Sequence, residues 1–139
     1  MEYNEDNLKK VSEIIRKNLT SDLLPRKWIP RNANNPTFGH CHNAAGCLQK
    51  VFGSENIKMW RALDDEGIYH WWAVDKNGKR IDLTSEQYTS TGRQPPYEYT
   101  TGEKSAILGF EYRKRVQRLY ERVDDELNDN QNGLAKLLG

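Results

Sequence analysis

The sequence predicts an α+β fold: a helix bearing a cysteine at its N-terminus, packed on a small antiparallel sheet and flanked by N- and C-terminal helices. Three observations predict it. Apolar residues recur at helical spacing over 5–18, 41–51 and 103–127. Three apolar, aromatic-rich runs lie together between 56 and 84. The turns between them, Asp64-Asp65-Glu66-Gly67 and Asp75-Lys76-Asn77-Gly78, make successive strands antiparallel.

In the first helix Leu8, Val11, Ile14 and Ile15 form one stripe, with Glu5, Lys9, Glu13, Arg16 and Lys17 on the other faces. From Thr20 to Gly39 the periodicity stops. Pro25, Pro30 and Pro36, with Asn32, Asn34 and Asn35, predict an ordered but irregular connection anchored by Leu23, Leu24, Trp28 and Ile29. Connections this long in a compact domain are often functional. The second helix is expected from Cys41 to Val51, with Ala44, Ala45, Leu48 and Val51 or Phe52 as its stripe and Gly53 as its stop. Ala44, Ala45 and Gly46 allow it to approach a sheet closely, so it should be central and buried.

Strands are expected at 56–62, 67–74 and 79–84. The second hairpin leaves two registers open. A two-residue Asn77-Gly78 turn puts Ala73 opposite Asp82 and sends His70 and Asp82 to opposite faces. A three-residue loop, Lys76-Asn77-Gly78 with Gly78 left-handed, puts Trp72 opposite Asp82 and makes His70 and Asp82 diagonal neighbours on one face. The Ser/Thr/Tyr/Pro-rich run 85–102 is expected as a rim or flap near the site. The last helix should span Glu103 to about Leu127, with Ile107, Leu108, Phe110, Val116, Leu119, Tyr120, Val123 and Leu127 inward and Gly109 as its point of interruption. The polar start of 128–139 predicts a frayed tail on a single domain, 1–139.

Composition narrows the function classes. With 36% hydrophobic and 29% charged residues the chain is polar, so its four Trp and seven Tyr must supply much of the core. No run approaches the roughly 20 apolar residues of a membrane span, and the mixed-charge start is unlike a secretory signal. A cytoplasmic location and no membrane partner are therefore expected. A net charge of +1 gives no reason to expect nucleic acid, and the basic run 113–122 reads as the wet side of an amphipathic helix. Two cysteines are too few for a disulfide framework. Cys47 reads as a small buried apolar residue.

The chemistry concentrates between Asn35 and Leu48. Cys41 opens a helix, where unpaired N–H groups carry partial positive charge and favour the thiolate. His70 is the downstream residue that can take its proton, and Asp82, on the next strand, can orient His70. Backbone N–H groups around Cys41 would receive the oxyanion of a carbonyl under attack. Singly, each has an ordinary structural explanation: a buried thiol, a ring among Tyr69, Trp71 and Trp72, a carboxylate capping Thr84 or Ser85. Their order, and the elements that carry them, favour a Cys41–His70–Asp82 triad. His40, Trp72 and Tyr88 are the candidate binding residues beside it. His40, Cys41, His42, Cys47 and His70 raise the question of zinc, but adjacent residues at a helix start diverge by about 100° each. No metal and no cofactor are expected.

Trp28, Asn35-Pro36-x-x-Gly39-x-Cys41, His70-x-Trp72 and Gly78-x-x-Ile81-Asp82-Leu83-Thr84-x-Glu86-Gln87-Tyr88 together resemble the YunG-like family of small proteins, over residues 22–125. More distantly, Gly-x-Cys, a strand histidine and Ile-Asp-Leu-Thr look like the core of papain-like and transglutaminase-like cysteine enzymes. That resemblance implies acyl transfer or amide hydrolysis without a cofactor, with Cys41, His70 and Asp82 as nucleophile, base and orienting acid. The chain departs from the family pattern beside the cysteine. His40 stands where a glutamine is usual, and His42 where a smaller residue is usual.

The expected function is a cysteine hydrolase or acyltransferase acting on an amide, isopeptide or thioester, with a protein or peptide-like substrate as its partner. The alternative is a non-catalytic protein-binding factor on the same scaffold, such as a phage or mobile-element inhibitor of a host protein, because a fold does not fix a function. Tyr88, Tyr97 and Tyr99 would serve either reading, as a substrate groove or as an interface.

Overall fold

A computed structural model of the chain describes residues 1–104 and 109–138, with side chains as far as Asn130 outside 105–108. Helix α1 spans Glu5–Lys17. Asn4 caps it by accepting from the Asn7 N–H, Glu5 and Asp6 sit at its positive end, and Arg16 and Lys17 at its negative end. Its apolar stripe, Leu8, Val11, Ile14 and Ile15, is buried.

The Pro/Asn-rich connection holds two 3-10 turns, Ser21–Leu23 and Arg26–Trp28, and a short helix α2, Ile29–Ala33. Its asparagines are its internal ties. Asn32 Nδ2 donates to the carbonyls of Pro36 and Phe38 at 3.0 and 2.9 Å, and Asn35 Nδ2 reaches the Gln87 carbonyl at 2.8 Å. Leu23 and Leu24 are buried anchors. Ile29 is not, because it opens α2 at the surface and stays 37% exposed.

Helix α3 runs Cys41–Phe52 and stops at Gly53, whose φ is 87°. Helix α5 runs Phe110–Leu138. Ala44, Leu48 and Phe52 join Ile57, Ala73, Leu119 and Val123 in the main core, so α3 is the central helix, between the sheet and α5. Gly46 serves α5: a Cβ there would lie 2.9 Å from Val116 Cγ2. The α3–α5 contact, as well as the α3–sheet contact, thus depends on a small residue.

One antiparallel sheet has the order β3-β2-β1-β4, with β1 Ile57–Leu63, β2 Tyr69–Asp75, β3 Arg80–Ile81 and β4 Glu103–Lys104. Strand β4 replaces the expected start of the last helix. Glu103 pairs with Trp60 and Lys104 with Met59, because the exposed edge of β1 offers backbone partners that outweigh helix propensity. Helix α5 therefore begins at Phe110, which at 67% exposure does not face inward as expected. Val116, Leu119, Val123 and Leu127 are buried; Ile107 and Leu108 lie outside the described residues. The backbone of 128–138 is helical, past the expected end near Leu127, since an established helix propagates through residues of modest propensity.

The β2–β3 register is that of the three-residue loop. Ala73 pairs with Ile81, Val74 with Arg80, and Gly78 has a φ of 83°. Asp75 Oδ1 locks the turn by accepting from the N–H groups of Asn77 and Lys79, both at 2.9 Å. Continued, this register sets Trp72 across from Asp82, so His70 and Asp82 share a face. Strand β3 ends after two residues, and the first half of β2 has no strand on that flank.

Candidate active site

A tight turn delivers Cys41 to that open flank. Gly39 has a φ of 85°, and a Cβ there would sit 2.8 Å from Leu24 Cδ2 and 3.0 Å from Trp28 Cε3. Glycine meets both demands, the left-handed backbone and the close approach. His40 occupies the N-cap position of α3 without making a side-chain capping bond, so no cap competes for the first-turn N–H groups. The Ile68 carbonyl accepts from the Asp64 N–H on the β1 side, so by strand alternation the Tyr69 carbonyl points to the open flank. Cys41 Sγ meets it there at 3.9 Å.

His70 and Asp82 are a buried pair. His70 Nε2 donates to Asp82 Oδ2 at 2.7 Å. The same oxygen accepts from the Tyr97 hydroxyl at 2.6 Å, and Oδ1 accepts from the Thr84 N–H at 3.1 Å. The turn-capping role and the His-orienting role thus coexist in one carboxylate. With Nε2 committed, Nδ1 is the nitrogen left for Cys41; Gln87 Nε2 lies 3.4 Å from it. Burial is the strongest influence on His70 and alone would lower its pKa. The hydrogen bond with Asp82, the neighbouring Cys41 thiol and the charges of both outweigh burial and lift the pKa to about 9. Burial would raise Asp82, but its bond with His70, followed by His70's charge and the Tyr97 and Thr84 bonds, holds it below the usual carboxylate range. The pair therefore favours imidazolium and carboxylate.

Two of the three residues expected to bind substrate, Trp72 and Tyr88, sit behind the pair. Trp72 stacks on the His70 ring at 5.7 Å, and Tyr88 meets it edge-on at 4.9 Å. Both are buried, and the Tyr88 hydroxyl is committed to Asp64 at 2.8 Å. His40 is fully buried and neither ring nitrogen has a protein partner; burial lowers its pKa to about 4. The 85–102 segment likewise backs the pair, through Gln87 and Tyr88 on helix α4 (Glu86–Thr89) and through Tyr97. It is not a rim of the cleft that Cys41 lines. Gln87 is a site residue that sequence reasoning left out, and Tyr97, read there as a groove or interface aromatic, is a partner of Asp82. The spacing Asp82-x-Thr84-x-x-Gln87 carries the signal for the first, since Thr84 holds Gln87 Nε2 through its carbonyl and hydroxyl, both at 3.1 Å.

On the other side of Cys41 a cleft of about 250 Å³ opens, walled by Trp28, Tyr69, Trp71 and Tyr112. His42 also lines it, edge-on to Trp71 at 4.9 Å and to Tyr112 at 5.2 Å. Cys47 is wholly buried and its thiol is pushed up to about 12, which leaves it a packing group. Among the described residues no three His, Cys, Asp or Glu side chains converge as metal ligands, and no helix is long and apolar enough to cross a membrane.

A model of the YunG protein family matches residues 7–128. The chain belongs to the YunG family. The matched span runs from α1 into α5 and includes Cys41, His70, Asp82 and Gln87. Neither a curated protein nor a solved structure matches the chain.

Proposed function

We propose that this YunG protein is a cysteine hydrolase or acyltransferase, with papain-like or transglutaminase-like chemistry, acting on an amide, isopeptide or thioester in the cleft beside Cys41. The observation that carries the reading is the buried 2.7 Å His70–Asp82 bond beside the flank where Cys41 opens α3. In the reactive state the thiol proton has passed from Cys41 Sγ to His70 Nδ1, which makes the ring the imidazolium that its raised pKa favours, and the thiolate sulfur adds to the carbonyl carbon. The carbonyl electron pair moves to oxygen, toward the N–H groups at the start of α3. Collapse breaks the bond to the leaving group, which takes the proton from Nδ1, and a thioester remains on Cys41. Water or an acceptor amine then gives its proton to Nδ1 and its heteroatom to the acyl carbon. The sulfur departs and recovers the proton.

Leu63, Tyr69 and Tyr99, exposed around one end of the sheet, favour the second reading, a protein-binding factor on the same scaffold. Alkylation separates the two. Iodoacetamide at pH 7 is expected to label Cys41 roughly 100-fold faster than Cys47, and His70→Ala, with its fold checked by circular dichroism, to slow Cys41 labelling about tenfold or more. Labelling of Cys41 that is slow, or indifferent to His70, favours the binding factor.

A further inference from the structure

Resting on that acyl-transfer reading, we propose that the cleft beside Cys41 selects a small acyl compound with an apolar body and a free carboxylate, and that Arg115 is the counter-ion for that carboxylate. The walls supply the first half of the specificity. Trp28, Tyr69, Trp71 and Tyr112 present aromatic surface around a volume suited to a small molecule.

Arg115 supplies the second half. Among the described residues it is the one side chain lining the cleft with a fixed charge. The basic run 113–122, which reads in sequence as a solvated helix face, divides in the structure. Arg118 and Arg122 both pair with Asp22. Arg115, about one turn earlier, is half-buried against Tyr112, its guanidinium 5.6 Å from the ring centre, and no described carboxylate pairs with it. The acidic turn at the cleft's edge makes no ion pair with it either: Asp64, Asp65 and Glu66 pair with Arg93, and Glu66 also with Arg31. A half-buried guanidinium without a counter-charge gains from a ligand carboxylate, which it can hold through two parallel hydrogen bonds.

His42 adds no second cation. Burial, followed by the charge of Arg115, lowers its pKa to about 4, so the cleft holds one positive charge at neutral pH, matched to one anionic group. The ring is 4% exposed and both its nitrogens lack a protein partner, which places an unsatisfied polar group in the same wall as Arg115.

The test uses 3-phenylpropionate and its amide, two ligands alike in shape and different in charge, on the full chain. Iodoacetamide labelling of Cys41 is expected to slow at least threefold with the acid and to be unaffected by the amide. Arg115→Gln should abolish the protection, and Arg113→Gln on the exposed side of α5 should keep it. In parallel, the ratio of iodoacetate to iodoacetamide labelling should fall about fivefold in Arg115→Gln. Equal protection by acid and amide, or protection that survives Arg115→Gln, overturns the proposal even if Cys41 reacts fast. If Cys41 proves unreactive, the acyl-transfer reading fails. NMR titration of the tryptophan side chains with the acid then still decides the site: saturable shifts that Arg115→Gln removes support it, and their absence overturns it.

Discussion

His70 differs from His40 and His42 in partnership, not in depth. All three rings are buried, at 0%, 0% and 4% exposure. His70 has Asp82 on one nitrogen and Cys41 acting on the ring, and its pKa rises to about 9. Among the described residues His40 and His42 have no partner on either nitrogen, and burial takes each down to about 4. Burial alone makes an imidazole a neutral packing group; burial beside a carboxylate makes it a held charge. The strongly basic ring is therefore recognised by its neighbours, and burial makes the other two histidines weak bases.

The largest expected effect comes from breaking that contrast outright. Asp82→Ala leaves a buried ring without its counter-charge and should lower unfolding free energy by about 3–5 kcal/mol in urea titrations. It should also bring the NMR-measured pKa of His70 below the ordinary value of about 6.5. A loss under about 1 kcal/mol would mean that Asp82 is not what keeps the ring charged.

A somewhat smaller effect tests the other two rings. For His40 and His42 the folded pKa of about 4 lies below the unfolded value of about 6.5, so the unfolded chain binds more protons between these limits. Stability should fall as pH drops through that window, on the order of 3 kcal/mol per ring. His70 has the opposite sign: its contribution is complete below about 6.5 and is lost as pH rises through about 9. His40→Leu should remove about one proton from the acid limb, read as the slope difference between variant and parent. An unchanged slope would show that His40 is protonated in the fold.

The smallest effect sharpens the account of Asp82. Tyr97→Phe removes the 2.6 Å hydrogen bond to Oδ2 and leaves the His70 bond in place. A loss of roughly 2 kcal/mol is expected, with His70 still charged at neutral pH. Collapse of the His70 pKa in this variant would make Tyr97, rather than His70, the main partner of the carboxylate.

Much of the site was legible because local chemistry marked it. Pro36 and Gly39 ahead of an apolar helix identified Cys41, and Asn77-Gly78 located the hairpin that carries His70 and Asp82. The register was not legible, since two- and three-residue loops accept the same Asn-Gly, and Asp75 decides between them through bonds to Asn77 and Lys79. Strand β4 was hidden for a different reason. It is two residues long, and the edge of β1, rather than its own sequence, makes it a strand. Gln87 and Tyr97 reach the site through tertiary packing, which periodicity does not encode. Phe110 illustrates the reverse error, an apolar residue assigned to the core by its type and left at a helix end by the geometry.

The brevity of β3 has a consequence of its own. Had it run on to pair with Tyr69–Trp72, a strand would fill the flank where the sulfur meets the Tyr69 carbonyl. A truncated edge is thus the doorway between the helical and sheet halves of the molecule. An insertion extending that hairpin would part Cys41 from the Tyr69 carbonyl while leaving Cys41, His70 and Asp82 themselves unchanged.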